Sequence, residues 1–431
     1  MITALAGGVG AARLLRGLVR VVAPTEVTAV VNTGDDTELH GLHISPDLDT
    51  VTYTLAGLND DERGWGLAGE SWSVMESLER LGGETWFRLG DQDLATHLYR
   101  TQRLSAGATL SQVTAEIRVR QRAMPARPLH LAWAHRPIPA VEWFVGPADV
   151  VHGTNFVVPP TRRAARVVTV HDLTTVRYPE LCDRSTLGFP RMVRRAISDG
   201  ACVHTPSRFV ADEVVAEFDI DPGRVRVVYN GVAPASPASS TALDRSLPPG
   251  TSRYILAVGT IEPRKDYPGL VRAFSGVVDA HPDVALVIAG ADGWGAHAFH
   301  EALEASRCRD RVMHLGYVDN DALAGWLGGA EVLAFPSVYE GFGFPPLEAM
   351  AAGVPVVATA VGAVPEVVGD GAVLVEPGDV DALTEAIVSV LGEPDRRAEL
   401  IDKGRARAAQ FTWEECGDGL AELYSDAAGA R

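Results

Sequence analysis

The stretch "FPSVYEGFGFPPLEAMAAGVPVVAT", Phe335 to Thr359, predicts the end of a buried strand, a glycine-bearing loop, a short helix from Pro346 to Ala352 and a second buried strand from Val354 to Ala358. Gly341 and Gly343 let the backbone approach a ligand closely. The helix that follows aims its free N–H groups and positive dipole end at the same place, an arrangement that favours phosphate. Glu340 stands at the strand end and Glu348 on the first turn and a half of the helix, with seven residues between them, so both carboxylates can face one crevice. Each alone also fits a plainer role: a solvated loop carboxylate for Glu340, a helix-start acid favoured by the dipole for Glu348.

Upstream, from Arg253, strands and helices alternate regularly: "YILAVG", "GLVRAFSGVVDA", "VALVIAG", "HAFHEALEAS", "VMHLG", "NDALAGWLGGA" and "EVLAFPS". This pattern predicts a doubly wound parallel sheet. After the first of these strands, "GTIEPRKD" places Arg264 and Lys265 side by side in a loop before a helix. Such a pair suits a diphosphate, Arg by its planar fork and Lys as a point charge, although surface charge is the plainer meaning of two adjacent cations. Asp219 and Asp221 read as a helix-exit turn and not as an Asp-x-Asp metal site.

Composition bounds the partners. With 431 residues and no low-complexity region, two or three globular domains are expected. A formal net charge of −18 argues against nucleic acid as the main partner. Cys182, Cys202, Cys308 and Cys416 form no CxxC pair, which predicts reduced thiols in a cytoplasmic protein and no zinc site. The opening "MITALAGGVG" has no basic region of a signal peptide. The uncharged run from Ala349 to Pro365 is broken into helix, strand and turn by Gly353, Pro355, Gly362 and Pro365, so no membrane span is expected.

At the other end of the chain, residues 2–6 read as a strand, "GGVGAAR" as a tight turn, Ala11 to Val21 as a helix and Val27 to Val31 as a second strand, a Rossmann-like opening. Arg13 stands where a dinucleotide fingerprint wants a small residue. Asp35, Asp36, Asp47, Asp49, Arg88, Asp91 and Asp93 follow in loops. They are candidates for metal, polyol or phosphate binding, with turn capping as the plainer role of the acids. "RVRQRAMPARP", from Arg118, is basic and proline-broken and reads as a junction. "ADVVHGTNFVVPP" and "ARVVTVHDLTTVRYPE" then give two strands, the second ending in His171 and Asp172 on the ligand side expected of an open α/β sheet. Arg191, Arg194 and Arg195 share a helix with Arg162, Arg163 and Arg166 nearby in sequence. This is ordinarily a solvated face, with peripheral contact to anionic lipid as an alternative. Ser207 is a candidate N-cap. Pro234 to Gly250 reads as a linker.

Two resemblances organise these readings. The Glu340 and Glu348 spacing, with "GFG" after the first and "EAMAAGVPVVAT" around the second, resembles the donor site of retaining family-4 glycosyltransferases of the GT-B fold. That resemblance implies a nucleoside-diphosphate sugar donor. Glu340 and the loop amides of Gly341, Phe342 and Gly343 would lie at the sugar, with Glu348 on the ribose and Arg264 and Lys265 on the diphosphate. Tyr317, in "LGYVDN", would lie in the loop that meets the nucleobase, and His171 near the reacting carbon. "EPRK" is a variant of the family's basic motif, with Thr260 where many relatives have Arg. No metal is expected at that donor site, the acceptor is an unknown glycan or lipid-linked sugar, and the last helix should cross back to the N-terminal domain. "VVNTGDDTELHGLHISPDLDTVTYTLAG", "GWGLAGE" and "TWFRLGDQDLATHLYRTQRLSAGATLSQVT" resemble the N-terminal part of 2-phospho-L-lactate transferase, the CofD-type enzyme of deazaflavin coenzyme assembly. This implies deazaflavin binding by Asp49 and Arg88, with Mg2+ as a possible cofactor.

The expected fold is therefore α/β with Rossmann-like doubly wound parallel sheets. A CofD-like fragment over residues 1–118 is followed by a partial GT-B N-terminal domain over 119–236 and a GT-B nucleotide-sugar domain over 251–431. Because strands of the fragment evolved for other neighbours, the fragment and the truncated domain are expected to form separate lobes. The composite alternative would dock strand Ile2 to Ala6 into the glycosyltransferase sheet. The function expected is retaining, metal-independent hexosyl transfer, mannose- or glucose-type. The alternatives are phospholactate transfer to a deazaflavin, or a chimera active in neither role.

Overall fold

The computed structural model describes residues 1–60, 66–83, 85, 89–110, 133, 138–182, 186–232, 247–318 and 320–429. The chain divides into two compact units: residues 1–169, 192–203 and 416–431 form unit 1, and residues 170–191 and 204–415 form unit 2.

In unit 1, β1 (Ile2–Ala6), β2 (Val27–Val31), β5 (Val150–Gly153), β6 (Ala165–Thr169) and the start of β7 (Cys202–Thr205) lie side by side in the order β2-β1-β5-β6-β7. β1 is central. It pairs in parallel with β2, Ile2 opposite Val27 through Ala6 opposite Val31. On its other edge it pairs with β5, Ile2 opposite Val150 through Leu5 opposite Gly153. The expectation of separate lobes is thus corrected: the first strand of the CofD-like text and the first glycosyltransferase strand belong to one sheet. The physical reason is visible in β5, which is buried at every residue. A parallel strand so deeply buried cannot leave its edge in water without cost and risk of aggregation. Small, fully buried Ala4 lets β1 fit between its neighbours, and the Thr154 hydroxyl donates to the Leu5 carbonyl at 2.6 Å.

The helix Gly8–Val21 covers this sheet with Leu14, Leu15 and Leu18 buried. Its Gly17 lets the C-terminal helix, Trp413–Gly429, approach until a Cβ on Gly417 would lie 2.6 Å from the Gly17 carbonyl oxygen. From the same helix, the Tyr424 hydroxyl is 2.7 Å from His152 Nδ1, and His152 Nε2 is 2.8 Å from Thr169 Oγ1. The final helix therefore returns to the N-terminal region, as the glycosyltransferase resemblance implies. A small hairpin, β3 (Thr37–Leu39) and β4 (Leu42–Ile44), packs with the helices Ser73–Arg80 and Asp91–Ser105 around Leu39, Ile44, Met75, Leu89 and Leu94.

Unit 2 holds a six-stranded sheet of order β11-β10-β9-β12-β13-β14, made of β9 (Arg253–Val258), β10 (Val284–Ala289), β11 (Val312–Gly316), β12 (Val332–Phe335), β13 (Val356–Thr359) and β14 (Ala372–Val375). Every pairing in it is parallel. β10, β12 and β13 are buried throughout. Alternate residues feed two cores on opposite faces, Tyr254, Leu256 and Val287 in one, Ile255, Ala257 and Leu286 in the other. β8 (Val225–Val227) precedes this sheet in the chain. The helix expected from Pro346 begins at Phe344, because Gly343 turns the chain at φ 99° and Pro345 needs no N–H partner in the first turn. β13 starts at Val356 and not at Val354, since Pro355 has no N–H to give a ladder. Asp219 ends its helix at φ 51°, and Asp221 accepts from the Gly223 amide, so the pair is the expected helix-exit turn. Among the described residues no helix is long and apolar enough to cross a membrane.

Candidate functional site

The site is built where β9 and β12 end side by side in unit 2. After β9 the chain makes a short turn at Pro263–Lys265. Asp266, at φ 43°, then caps the helix Tyr267–Ala280 by accepting from the Gly269 amide at 3.0 Å. After β12 the chain runs through Ser337 and Tyr339 to Glu340. The two loops are laced together: the Val338 amide donates to the Arg264 carbonyl, and Arg264 Nη1 donates to the Tyr339 carbonyl, each at 2.9 Å. Glu340 Oε1 collects Lys265 Nζ at 2.6 Å, Arg264 Nη1 at 2.8 Å and the Ser337 hydroxyl at 2.8 Å. Arg264 Nη2 also meets Glu262 Oε1 at 2.6 Å, and Lys265 Nζ lies 4.8 Å from the Phe335 ring centre.

Lys265 and Glu340 are each only 9% exposed, which makes their pairing obligatory. Burial alone would push the Glu340 carboxyl up. Lys265 and then Arg264 outweigh it and hold the carboxyl below its usual range. Burial works against the Arg264 cation too, but Glu340 and Glu262 raise its pKa, so it stays charged. Two cations are thus held preformed and desolvated beside strand ends, with carboxylates that balance them.

The glycine loop brings in the remaining groups. A Cβ on Gly341 would lie 2.0 Å from the His171 carbonyl oxygen and 2.8 Å from the Asp172 Cβ, so only glycine allows this contact. The structure therefore brings half-buried His171 to the glycine loop. The Ser207 hydroxyl donates to the Gly341 carbonyl at 2.8 Å while capping its own helix at the Val210 amide. Phe342 points away: its ring sits in the core, 5.1 Å from that of Phe344 and 6.0 Å from that of Phe411, leaving its backbone as the part that can face a ligand. Gly343 stands at the N-terminus of the helix Phe344–Ala352, which carries half-buried Glu348. Tyr317, directly after β11 and Gly316, is 67% exposed.

Two side chains that brace the loops around this site carry no motif in the sequence. Tyr339 is buried, accepts from the Leu173 amide at 3.0 Å and donates to Glu213. Glu213 in turn holds Arg177 at 2.7 Å. Tyr339 thereby fixes the residue next to Glu340. Glu366 accepts from the Arg208 and Phe209 amides at 2.8 and 2.9 Å and from the Tyr229 hydroxyl at 2.7 Å, capping the helix Arg208–Phe218. An aromatic before a strand-end Glu was the only available signal for the first, and nothing short-range marks the second.

The acidic candidates of unit 1 are engaged in structure. Asp49 is buried and takes both terminal nitrogens, Nη1 and Nη2, of buried Arg100, the first at 2.9 Å. Burial pushes its carboxyl up, against the pull of Arg100. His97 Nδ1 lies 3.1 Å from Arg100, and the Tyr53 hydroxyl donates to Asp93 at 2.7 Å. Asp91 accepts from the Ser73 and Val74 amides and caps their helix. Asp47 is held by Asn32 at 2.9 Å, and Asp36 by Ser45 at 3.0 Å. Arg88 lies outside the described residues. Asp49, Asp93 and His97 come within metal-binding distance of one another. They do not fit Mg2+, which wants an octahedron of oxygens and water where a guanidinium already holds both Asp49 oxygens.

Unit 2 is thus a doubly wound parallel α/β domain with two paired cations and a glycine loop at its strand ends. Comparison with known proteins extends this. Residues 240–407 match the family model "Glycosyl transferases group 1", residues 89–236 match "Glycosyltransferase Family 4", and residues 2–126 match "2-phospho-L-lactate transferase CofD". The O-antigen chain mannosyltransferase B of Escherichia coli is 31% identical over 273 residues, 62% of this chain and 71% of that protein. A phosphoenolpyruvate transferase of Kitasatospora aureofaciens is 55% identical over 121 residues, 28% of this chain; the chain spans only 38% of that protein's length. Among solved structures, a sucrose-phosphate synthase of Thermosynechococcus elongatus is similar with a TM-score of 0.62 at 20% identity over 100% of both chains. HepE of Anabaena, solved with UDP and glucose, has a TM-score of 0.60 at 17% identity over 98% of this chain and 99% of its own. The chain belongs to the group 1 (family 4) glycosyltransferases, with a CofD-like segment at its N-terminus.

Proposed function

We propose that the protein transfers a hexose, mannose- or glucose-type, from a nucleoside-diphosphate sugar to a glycan or lipid-linked acceptor, with retention at the anomeric carbon. The observation that carries this reading is the convergence of Arg264 and Lys265 on Glu340 at the end of β12, beside the glycine loop and the N-terminus of the helix Phe344–Ala352. The diphosphate takes the two cations, which stabilise negative charge as the bond to the sugar breaks and replace a metal in that role. Lys265, Arg264 and Ser337 all meet one oxygen of Glu340, so Oε2 is the oxygen that accepts from a sugar hydroxyl. His171 supplies its backbone carbonyl or its ring to the same sugar, Glu348 binds the ribose hydroxyls, and Tyr317 lies against the base. The names of the relatives support a sugar-nucleotide donor: one is a mannosyltransferase and another was solved with UDP and glucose.

Thermal-shift screening of UDP- and GDP-sugars, followed by calorimetry on Lys265→Ala, tests the proposal. A nucleotide-sugar should stabilise the parent and bind the variant weakly; no response to any nucleotide would overturn it. NMR of the product's anomeric configuration tests retention. Phosphoester transfer to a deazaflavin has less support, because the chain spans little more than a third of the relative it matches there and Arg100 already occupies Asp49.

A further inference from the structure

We propose that unit 2 carries a binding site for one first-row transition-metal ion of the zinc class, formed by Asp292, His300, His314 and the carbonyl oxygen of Gly290. The site is distinct from the donor residues and does not depend on the glycosyltransferase reading.

The three side chains come from different elements. Asp292 follows β10, His300 is on the helix His297–Ala305, and His314 is in β11. One ligand atom from each lies within 4.8 Å of the others. His300 Nε2 is 2.9 Å from Asp292 Oδ2, His314 Nε2 is 3.8 Å from Asp292 Oδ1, and His314 Nε2 is 2.8 Å from the Gly290 carbonyl oxygen. Neighbouring ligands of a tetrahedral zinc with bonds of about 2.0–2.1 Å stand roughly 3.3 Å apart. The observed separations bracket that edge, with protons now lying where the ion would sit. Binding displaces the proton between His314 Nε2 and the Gly290 carbonyl; the neutral ring keeps one proton, on Nδ1.

The site is open to water at Asp292 and His300 and walled on its inner side. Phe299, itself buried, packs edge-on or tilted against both imidazoles, with ring centres 5.1 Å from His300 and 5.4 Å from His314. This fixes the two rings on one side and leaves Asp292 to approach from the other. Two imidazoles and one carboxylate select zinc, nickel or cobalt over magnesium and calcium, which prefer all-oxygen shells. The placement also suggests a consequence. Asp292 is bridged to Ile261, three residues before Arg264, and His314 lies three residues before Tyr317. An ion here ties together the roots of the diphosphate loop and the Tyr317 loop.

The test uses the full-length chain with any histidine tag removed. Zinc titrated against a chromophoric chelator should show one tight equivalent per chain, and cobalt should give the intense visible absorption of a tetrahedral site. His300→Ala, at a partly exposed position that should not disturb folding, and His314→Gln should each weaken zinc binding by at least about tenfold and abolish the cobalt spectrum. His40→Asn, at an exposed turn histidine of unit 1, should bind as the parent does. Absence of a stoichiometric site in the parent, or parent-like zinc binding and cobalt spectra in both His300→Ala and His314→Gln, would overturn the proposal.

Discussion

The two sheets of this molecule are built on the same parallel plan but differ in ancestry. The unit 2 sheet comes from one continuous family text, and its inner strands β10, β12 and β13 are buried residue by residue. The unit 1 sheet is stitched from two texts. β5 is fully buried, β1 beside it is buried at only three of five positions, and β2 at the edge is half-exposed throughout. The difference teaches that a borrowed strand satisfies a sheet when it supplies hydrogen bonds in register and a small apolar face; shared descent is not needed.

The largest expected effect comes from removing the borrowed part. A chain of residues 119–431 loses β1 and β2, so β5 gains an open edge and the C-terminal helix loses Gly17 as its seat. It should express insolubly and be rescued by co-expression of residues 1–118. A soluble product as stable as the parent would erase the distinction between borrowed and dispensable strands.

Next is Asp49→Asn, which leaves the Arg100 guanidinium buried against a neutral amide. Breaking a buried pair from one side costs on the order of 3–5 kcal/mol, and urea unfolding should show a loss of that size. Asp49→Leu combined with Arg100→Met should recover most of it. Parent-like stability in the single variant would mean that the carboxylate is kept for a ligand and not for the fold.

In unit 2 the same kind of pair is read as function. Lys265→Ala should weaken nucleoside-diphosphate binding by roughly 1.5–3 kcal/mol, as for a charged hydrogen bond, measured by calorimetry. Unchanged affinity would reduce the Lys265–Glu340 pair to a structural link like Asp49–Arg100.

These contrasts mark what the residues showed in advance. The glycine loop and the helix after β12 were legible because glycine, proline and apolar positions there are set by local spacing, and the doubly wound order followed from regular alternation. The partner of β5 was not legible: β1 has the same apolar pattern whether it ends a lobe or joins a sheet, and the pairing spans almost 150 residues. The ion pair of Asp49 was not legible either, because Arg100, 51 residues away, carries no motif. The stripe Asp93, His97, Arg100 on one helix face was the overlooked hint of a buried polar network. Asp292, His300 and His314 were overlooked because their spacing matches no short metal motif.

The smallest effect concerns a buried imidazole in each unit. His152, in unit 1, has hydroxyl groups at both ring nitrogens. His204, in unit 2, is wholly buried with Nε2 donating to the Val228 carbonyl at 3.1 Å, and burial pushes its pKa down to about 4. An unfolded histidine titrates near 6.5, so between about pH 4 and 6.5 the unfolded chain binds the extra proton. Stability should therefore fall as pH drops through that window, by up to about 1.4 kcal/mol per unit from this group. Glu340 acts in a lower window. Its carboxyl is held below the usual range, so its contribution is complete above about pH 4.3 and is lost only below that. His204→Gln can keep a donor to Val228 and removes the titration. Urea unfolding from about pH 4.5 to 7 should show a shallower slope in the variant than in the parent, with the two converging in their loss of stability at lower pH where Glu340 protonates. Equal slopes would show that His204 is charged within the fold, and that the core of unit 2 is less closed to water and protons than its fully buried strands imply.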